Sequence, residues 1–345
     1  MAPRLGSLRT QFGKITGCLL DHESDPGQLR DAAIELHALF SELSGVGDDS
    51  GGADDGSESR LPTGVALSPK DAARCVLDTA RTVRFMRGIH AAIQSAVDRF
   101  PDQPIHLLYA GCGPYATLAL PLTMCFPPEQ LQLTLLDIHQ RSIAAVQQII
   151  DDLGLHEWIR ENVCCDATDY VHPLGSPLHV LVIEAMQRGL EKEPQVALTF
   201  NLARQLSDGG FLIPEEISLT ACLADLSREF TLLPADHEGS ELPEDTRHRI
   251  GLGSFLHLNA QTEANDLRPT VFKAPENIGS RTRLMILTKI RVFEDCVLDD
   301  YDSGITVPAV VHDVGAIKPG DSLQLSYESG SLPGTRIMKN PPSSS

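Results

Sequence analysis

A strand-like run ends abruptly at Gly111-Cys112-Gly113 in LLYAGCGPYATLALPL, residues 107–122, and an apolar helix is expected straight after it. Glycines at such a turn leave backbone N–H groups unobstructed, so a ligand can lie against them. Asp137 follows in LQLTLLDIH at the end of a second strand, where a carboxylate can accept hydrogen bonds from ribose hydroxyls. Asp166 in CCDATD closes a third strand and suits an adenine amino group, and Glu184 in LHVLVIEA closes a fourth. The dinucleotide pattern GxGxxG is not completed, because Ala116 and Thr117 follow Tyr115, so a pyrophosphate is not expected. Joined in this order, the residues point to a nucleoside ligand.

These side chains need strand ends to stand on, and the surrounding pattern supplies them. From 103 to 213 short apolar runs (IHLLYAG, LQLTLLDI, NVCCDATD, LHVLVIEA, GGFLIP) alternate with helix-like segments (ATLALPLTMC, RSIAAVQQIIDDLG, QVALTFNLARQL). That alternation predicts an α/β fold whose parallel sheet is covered on both faces, with the acidic strand ends facing the crevice where such sheets bind ligands. Upstream, apolar positions at helical spacing (Ile15, Leu19, Leu20, then Leu29, Ala33, Leu36, Leu39, Phe40, Leu43) predict an N-terminal helical cap over 1–44. Residues 45–67, containing GVGDDSGGADDGSESRLPTG, read as a flexible acidic linker too poor in apolar side chains to order a backbone. Ser68-Pro69 then predicts an N-cap and first-turn proline opening a helix that runs to about Phe100. After 216 the strands (ISLTACLA, RLMILTKIRVF, VPAVVHDV, DSLQLSYES) follow one another across turns such as KPGD and SLPGT, which predicts an antiparallel β-domain over 216–340. The polar stretch LPADHEGSELPEDTRHRI, 233–250, reads as an excursion from it.

Composition narrows the partners. A formal net charge of −19, with no Lys/Arg run against it, repels a phosphate backbone, so nucleic acid is not expected. No apolar run approaches the ~20 residues that span a bilayer, so no membrane is expected. MAPRLGSLRTQFGK lacks the apolar stretch of a secretory signal, and the expected location is cytoplasmic. Eight cysteines, at 18, 75, 112, 125, 164, 165, 222 and 296, form no CxxC pair and read as reduced, with no metal expected.

Taken in order, AGCGP, LLDIH, CDATD, VIEAM and LSDGGFLIP resemble motifs I through VI of the class I S-adenosylmethionine-dependent methyltransferases. The resemblance covers 68–215 and implies a doubly wound, Rossmann-like S-adenosylmethionine-binding domain there. It places Gly111 and Gly113 beneath the methionine moiety, Asp137 on the ribose and Asp166 at the adenine. The helical N-terminus, the core and a β-domain starting directly after GGFLIPEEISLTACL are together similar to the protein arginine methyltransferases. In that subgroup a helix like VLDTARTVRF carries an arginine that binds the cofactor's carboxylate, which implies Arg81. Glu184 and Glu193 resemble the two glutamates of its guanidinium-gripping loop. The sequence departs from the subgroup in lacking a Thr-His-Trp motif, its only tryptophan being Trp158, and in having no tyrosine over 65–100. As residues alone, Glu191-Lys192-Glu193 equally suit the solvated end of a charged helix.

Methyl transfer depends chiefly on in-line alignment, so a dry, aromatic pocket is expected, with Tyr109, Tyr115, Tyr170 and Phe200 as candidates to face the sulfonium. Glu184, at the border of cofactor and acceptor, and Glu193 would orient or deprotonate an amine or guanidine. Tyr170 joins them as a catalytic candidate, and His139 is a candidate polar contact or general base. The expected activity is N-methylation of a small molecule or of an exposed peptide side chain. The alternative is cyclisation of the cofactor to azetidine-2-carboxylate and methylthioadenosine, and a third reading is a non-catalytic cofactor-binding protein. The resemblance also implies a homodimer built through an excursion such as 233–250.

Overall fold

The computed structural model describes residues 2–47, 56–229, 249–279 and 281–340. Positions 48–55 of the expected linker and most of the 233–250 excursion lie outside the described residues.

The cap is a pair of helices, α1 (Ala2–Leu20) and α2 (Pro26–Ser44). Asp25 starts α2 by accepting from Gly27 N and Gln28 N while the Gln28 side chain accepts from Asp25 N, and Gly45 ends it in the left-handed conformation. Phe12, Ile15, Leu19, Leu36, Phe40 and Leu43 are buried in the main apolar core, so the cap is continuous with the rest of the molecule. Part of the segment expected as linker is regular: β1 (Ser59–Leu61) and β2 (Gly64–Ala66) form an antiparallel hairpin.

The single helix expected over 68–100 is two. The first, α3 (Pro69–Arg74), is capped by Ser68, and a short 3-10 turn at Cys75–Leu77 separates it from α4 (Thr79–Arg99). Asp78 is the reason for the break. Its Oδ1 accepts from Arg81 N at 3.3 Å and so caps a new helix, while its Oδ2 accepts from Ser303 Oγ at 2.6 Å and Gly304 N at 2.9 Å. One carboxylate thus starts α4 and ties it to the C-terminal half.

The core sheet follows as β3 (Ile105–Ala110), β4 (Leu131–Asp137), α5 (Gln140–Leu153), β5 (Ile159–Cys164), β6 (Val180–Ile183), α6 (Gln195–Leu202) and β7 (Phe211–Ile213). The strands are parallel in the order β5-β4-β3-β6-β7, so the chain reverses its direction of travel across the sheet at β3. A doubly wound sheet of this order binds ligands outside the carboxyl ends of the strands beside that reversal. Every residue of β3 and β6 is buried, as a central parallel strand requires. The apolar helix expected after the glycine turn is absent: turns run to Ala119, with Ala116 at φ 42°, and end in a 3-10 helix over Leu120–Met124. Pro121 has no N–H to give an α-helix at this point.

The C-terminal half is antiparallel. A larger sheet, β12-β11-β8-β9, consists of β8 (Glu216–Asp225), β9 (Arg249–Asn259), β11 (Thr282–Phe293) and β12 (Cys296–Leu298), with β13 (Ala309–Val310) pairing β11. A smaller sheet holds β10 (Thr270–Lys273), β14 (Ser322–Glu328) and β15 (Gly334–Asn340) in the order β10-β14-β15. The sequence pattern missed β9, β10, β12 and β15, and the run VPAVVHDV shrinks to the two residues of β13. Arg249 and Ile250, placed in the expected excursion, open β9.

Asp78→Ala removes the α4 cap and the two bonds to the 303–304 turn together. It should lower unfolding stability in urea by about 1–3 kcal/mol; an unchanged midpoint would show that the cap does not tie the two halves.

Candidate functional site

At the end of β3 the chain turns through Gly111 at φ 78° and Gly113 at φ 61°. A Cβ on Gly111 would lie 3.2 Å from the Glu184 carbonyl oxygen, so glycine lets the ends of β3 and β6 pass each other. Gly111 N and Cys112 N both donate to Leu136 O, at 2.9 and 3.0 Å, which locks the turn against the end of β4. There the Asp137 carboxylate accepts from Gly113 N at 2.9 Å through one oxygen and from His139 N at 2.8 Å through the other. Two backbone donors fix its plane and leave further lone pairs on each oxygen for a ligand. The His139 ring lies 3.4 Å from Asp137 through Nδ1 and 3.0 Å from the Ser59 hydroxyl through Nε2, which connects the β1–β2 hairpin to this carboxylate. Past β5, Asp166 holds a tight turn by accepting from Thr168 N and Thr168 Oγ1 at 2.9 and 2.7 Å.

Opposite the glycine turn, Arg81 in the first turn of α4 forms a buried ion pair with Glu184 just beyond β6. Burial opposes the guanidinium charge, and the Glu184 carboxylate overrides it, so the Arg81 pKa is held well above the ordinary value. The β6 end is itself bridged. Gln195 Oε1 accepts from Ala185 N at 3.0 Å and Gln195 Nε2 donates to Ile183 O at 3.1 Å, on either side of Glu184. Glu193 is 5% exposed, not the solvated helix end that its charged neighbours suggest. Burial, reinforced by the nearby Glu184 charge, pushes its pKa up to about 8. Oε1 of Glu184 and Oε1 of Glu193 are both buried without a hydrogen-bond partner. Buried carboxylate oxygens are normally satisfied, so both are available to a ligand that donates.

One cavity joins these groups, with an empty volume of about 970 Å³ counting its open mouth. Gly111, Gly113, Asp137, His139 and Asp166 line one side, and Arg81, Tyr109, Glu184 and Glu193 line the other, with Tyr115 beneath. Tyr109 is buried, and its pKa is raised by that burial and by Glu184. Tyr115 donates to Val46 O at 2.5 Å and packs edge-on to Phe40, so it fixes the cap to the floor of the cavity. Tyr170 and Phe200 are not brought here. Tyr170 packs against a second apolar cluster with its hydroxyl 3.5 Å from Glu161. Phe200 packs against the main core. Sequence reasoning missed Gln195 and Ser59, along with the cavity-lining thiols of Cys75 and Cys165. Cys165 stands directly before Asp166 in CCDATD and the Ser68-Pro69 helix start lies shortly before Cys75, whereas Gln195 and Ser59 carry no such signal.

No family model matches the chain, and no curated protein matches it. Among solved structures it is similar to the Trypanosoma brucei PRMT1 enzyme-prozyme heterotetrameric complex with AdoHcy, at a TM-score of 0.54 and 11% identity, over 78% of this chain and 97% of that one. The chain has a class I methyltransferase-like fold. The parallel core and the C-terminal β-domain together account for the likeness, and at this identity it concerns the fold alone.

Glu193 gives the site a pH signature. Its folded pKa of about 8 lies above its ordinary 4.5, so the folded chain binds this proton more tightly than the unfolded one. The resulting stability is complete below the lower value and is lost as pH rises through the upper one. Glu193→Gln cannot ionise, so its unfolding midpoint relative to wild type should climb between about pH 5 and 8 and level off above. Parallel curves for the two proteins would contradict the buried, protonated carboxyl.

Proposed function

We propose that this chain is an S-adenosylmethionine-dependent methyltransferase acting on a nitrogen of a small molecule or of an exposed peptide side chain. The observation that carries the reading is the single cavity at the ends of β3, β4 and β6 that gathers the glycine turn, Asp137, Asp166, Arg81 and two buried carboxyls. The neighbour's complex with AdoHcy supports it at the level of fold.

The residues present fit the cofactor. Asp137 is held by two backbone donors with its remaining lone pairs free for ribose hydroxyls. The turn at Gly111 and Gly113 carries no side chain that would obstruct the methionine portion. Asp166 lines the same side for the adenine, and Arg81, paired through a single terminal nitrogen, has other N–H groups for a carboxylate. When bound, the cofactor supplies an electrophilic methyl group on sulfur. The chain's own part is to align a nucleophile with that methyl and keep water away. Glu184, neutralised by Arg81, orients the acceptor nitrogen through its unpartnered Oε1. Glu193 is protonated at neutral pH, and a cationic acceptor favours its ionised form. It then stands ready to take the proton released from nitrogen. Tyr109 contributes an aromatic wall beside the two carboxyls, where a cation gains by facing a ring.

Two measurements test this. Asp137→Ala should weaken S-adenosylmethionine binding by about 1–3 kcal/mol through the lost ribose hydrogen bonds, read by calorimetry; equal affinity would remove Asp137 from the cofactor site. Incubation of the protein with S-adenosylmethionine and a panel of amines and guanidines, followed by mass spectrometry, should yield S-adenosylhomocysteine and a methylated acceptor. Methylthioadenosine with azetidine-2-carboxylate would replace transfer by cyclisation, and a bound but unreacted cofactor across the panel would favour a non-catalytic binding protein.

A further inference from the structure

The loop from Glu184 to Glu193 follows a backbone path held in part by its own hydrogen bonds, such as Leu190 N to Gln187 O at 3.0 Å, and in part from outside. Gly189, Leu190 and Lys192 lie at φ 68°, 53° and 65°. Glu193 N donates to Glu191 O at 2.7 Å across Lys192, an i to i+2 bond closed over a positive-φ residue. Turns of this kind are rare and strained, and strained backbone persists only where its surroundings over-determine it. The turn also aims a carboxyl with an unpartnered oxygen inward, although that carboxyl would be better solvated outside. Both effects favour release of the loop.

Four hydrogen bonds from other segments oppose that release. Gly189 N donates to Thr288 Oγ1 at 2.9 Å, and Tyr327 OH donates to Leu190 O at 2.8 Å, both in buried surroundings. Lys192 N donates to Pro333 O at 3.0 Å, and Val65 N of the hairpin donates to Lys192 O at 2.7 Å. Thr288 lies on β11, Tyr327 on β14 and Pro333 just before β15, so three of the four come from the β-domain. The hairpin presses close enough that a Cβ on Gly64 would sit 2.6 Å from Lys192 O.

We propose that Thr288 and Tyr327 are positioning residues of the β-domain that, with the Gly64–Val65 backbone of the hairpin, hold the 184–193 loop in the turn that aims Glu193 into the cavity. This rests on the reading above in which Glu193 acts on the acceptor. Neither side chain lines the cavity, and each acts only through the loop backbone. The β-domain thereby sets the catalytic geometry from behind, and the hairpin sets it from in front.

The experiment is a carbon NMR titration of the full-length protein labelled at the glutamate carboxyl carbons, with the Glu193 signal assigned by its loss in Glu193→Gln. In the wild type this signal should titrate near pH 8. In Tyr327→Phe and Thr288→Val the loop should relax and Glu193 should become solvated, so its midpoint should fall by about two pH units or more. Thr288→Ser, which keeps the acceptor oxygen, should restore the wild-type value. S-adenosylhomocysteine affinity should stay within about twofold of wild type in all three, since Arg81, Asp137 and Asp166 are untouched. A Glu193 midpoint near 8 in both folded variants, or an ordinary carboxyl midpoint in the wild type, overturns the proposal. If the β-domain variants do not fold, Gly64→Ala on the hairpin decides, with the same fall expected and an unchanged midpoint contradicting it. A wild type that shows the shifts but binds no S-adenosylhomocysteine sinks the functional reading and leaves the positioning role intact.

Discussion

The buried ion pair between Arg81 and Glu184 is the constraint around which the rest of the molecule is arranged. Two charges removed from water cost several kcal/mol each after relaxation, and they remain tolerable only while each faces the other in good geometry. That condition fixes the first turn of α4 against the end of β6, two segments more than a hundred residues apart in sequence. Asp78 starts α4 at the required point and ties it to the 303–304 turn, while the Gln195 amide braces the backbone on both sides of Glu184. With Arg81 committed to Glu184, a second carboxyl in the same space has no cation of its own. Burial and the nearby Glu184 charge outweigh what Arg81 still offers it, and Glu193 keeps its proton near neutrality. The wall of the cavity opposite Asp137 and Asp166 therefore holds one compensated charge and one neutral acid, and a cationic ligand changes the state of the second.

The same arrangement explains the division between the two halves. The parallel sheet provides the strand ends, and with them the glycine turn, Asp137 and Asp166, each fixed by bonds within the core. The opposite wall draws its support from elsewhere, from the β-domain, the hairpin and the start of α4. A shared fold at 11% identity is compatible with this, because strand order and strand-end geometry depend on hydrophobic pattern far more than on particular side chains. The wall that carries Glu193 depends on individual contacts such as those of Thr288 and Tyr327.

Strand-end residues were legible in the sequence because a buried strand has an unmistakable composition and its end is a defined place. That is why Gly111, Gly113, Asp137, Asp166 and Glu184 could be assigned to one crevice. Glu193 was ambiguous because its direction depends on the turn at Lys192, and nothing in Glu191-Lys192-Glu193 announces a positive φ. Tyr170 was a candidate on its aromatic character alone, which does not distinguish a ring that lines the cavity from one that packs in the neighbouring apolar cluster. The hairpin at 59–66 was hidden by its setting among Gly, Ser and Asp and by strands only three residues long. Gln195 gave no signal at all, since its role is to bridge two backbone groups that only the tertiary fold brings within reach.

The most direct test is a crystal structure of the protein grown with S-adenosylhomocysteine. The expected density lies over the Gly111–Gly113 turn, with both ribose hydroxyls on the Asp137 carboxylate and the amino-acid carboxylate at Arg81. A nucleoside bound elsewhere, or a cavity left empty at saturating ligand with the Arg81–Glu184 pair unchanged, would contradict the assignment of this site.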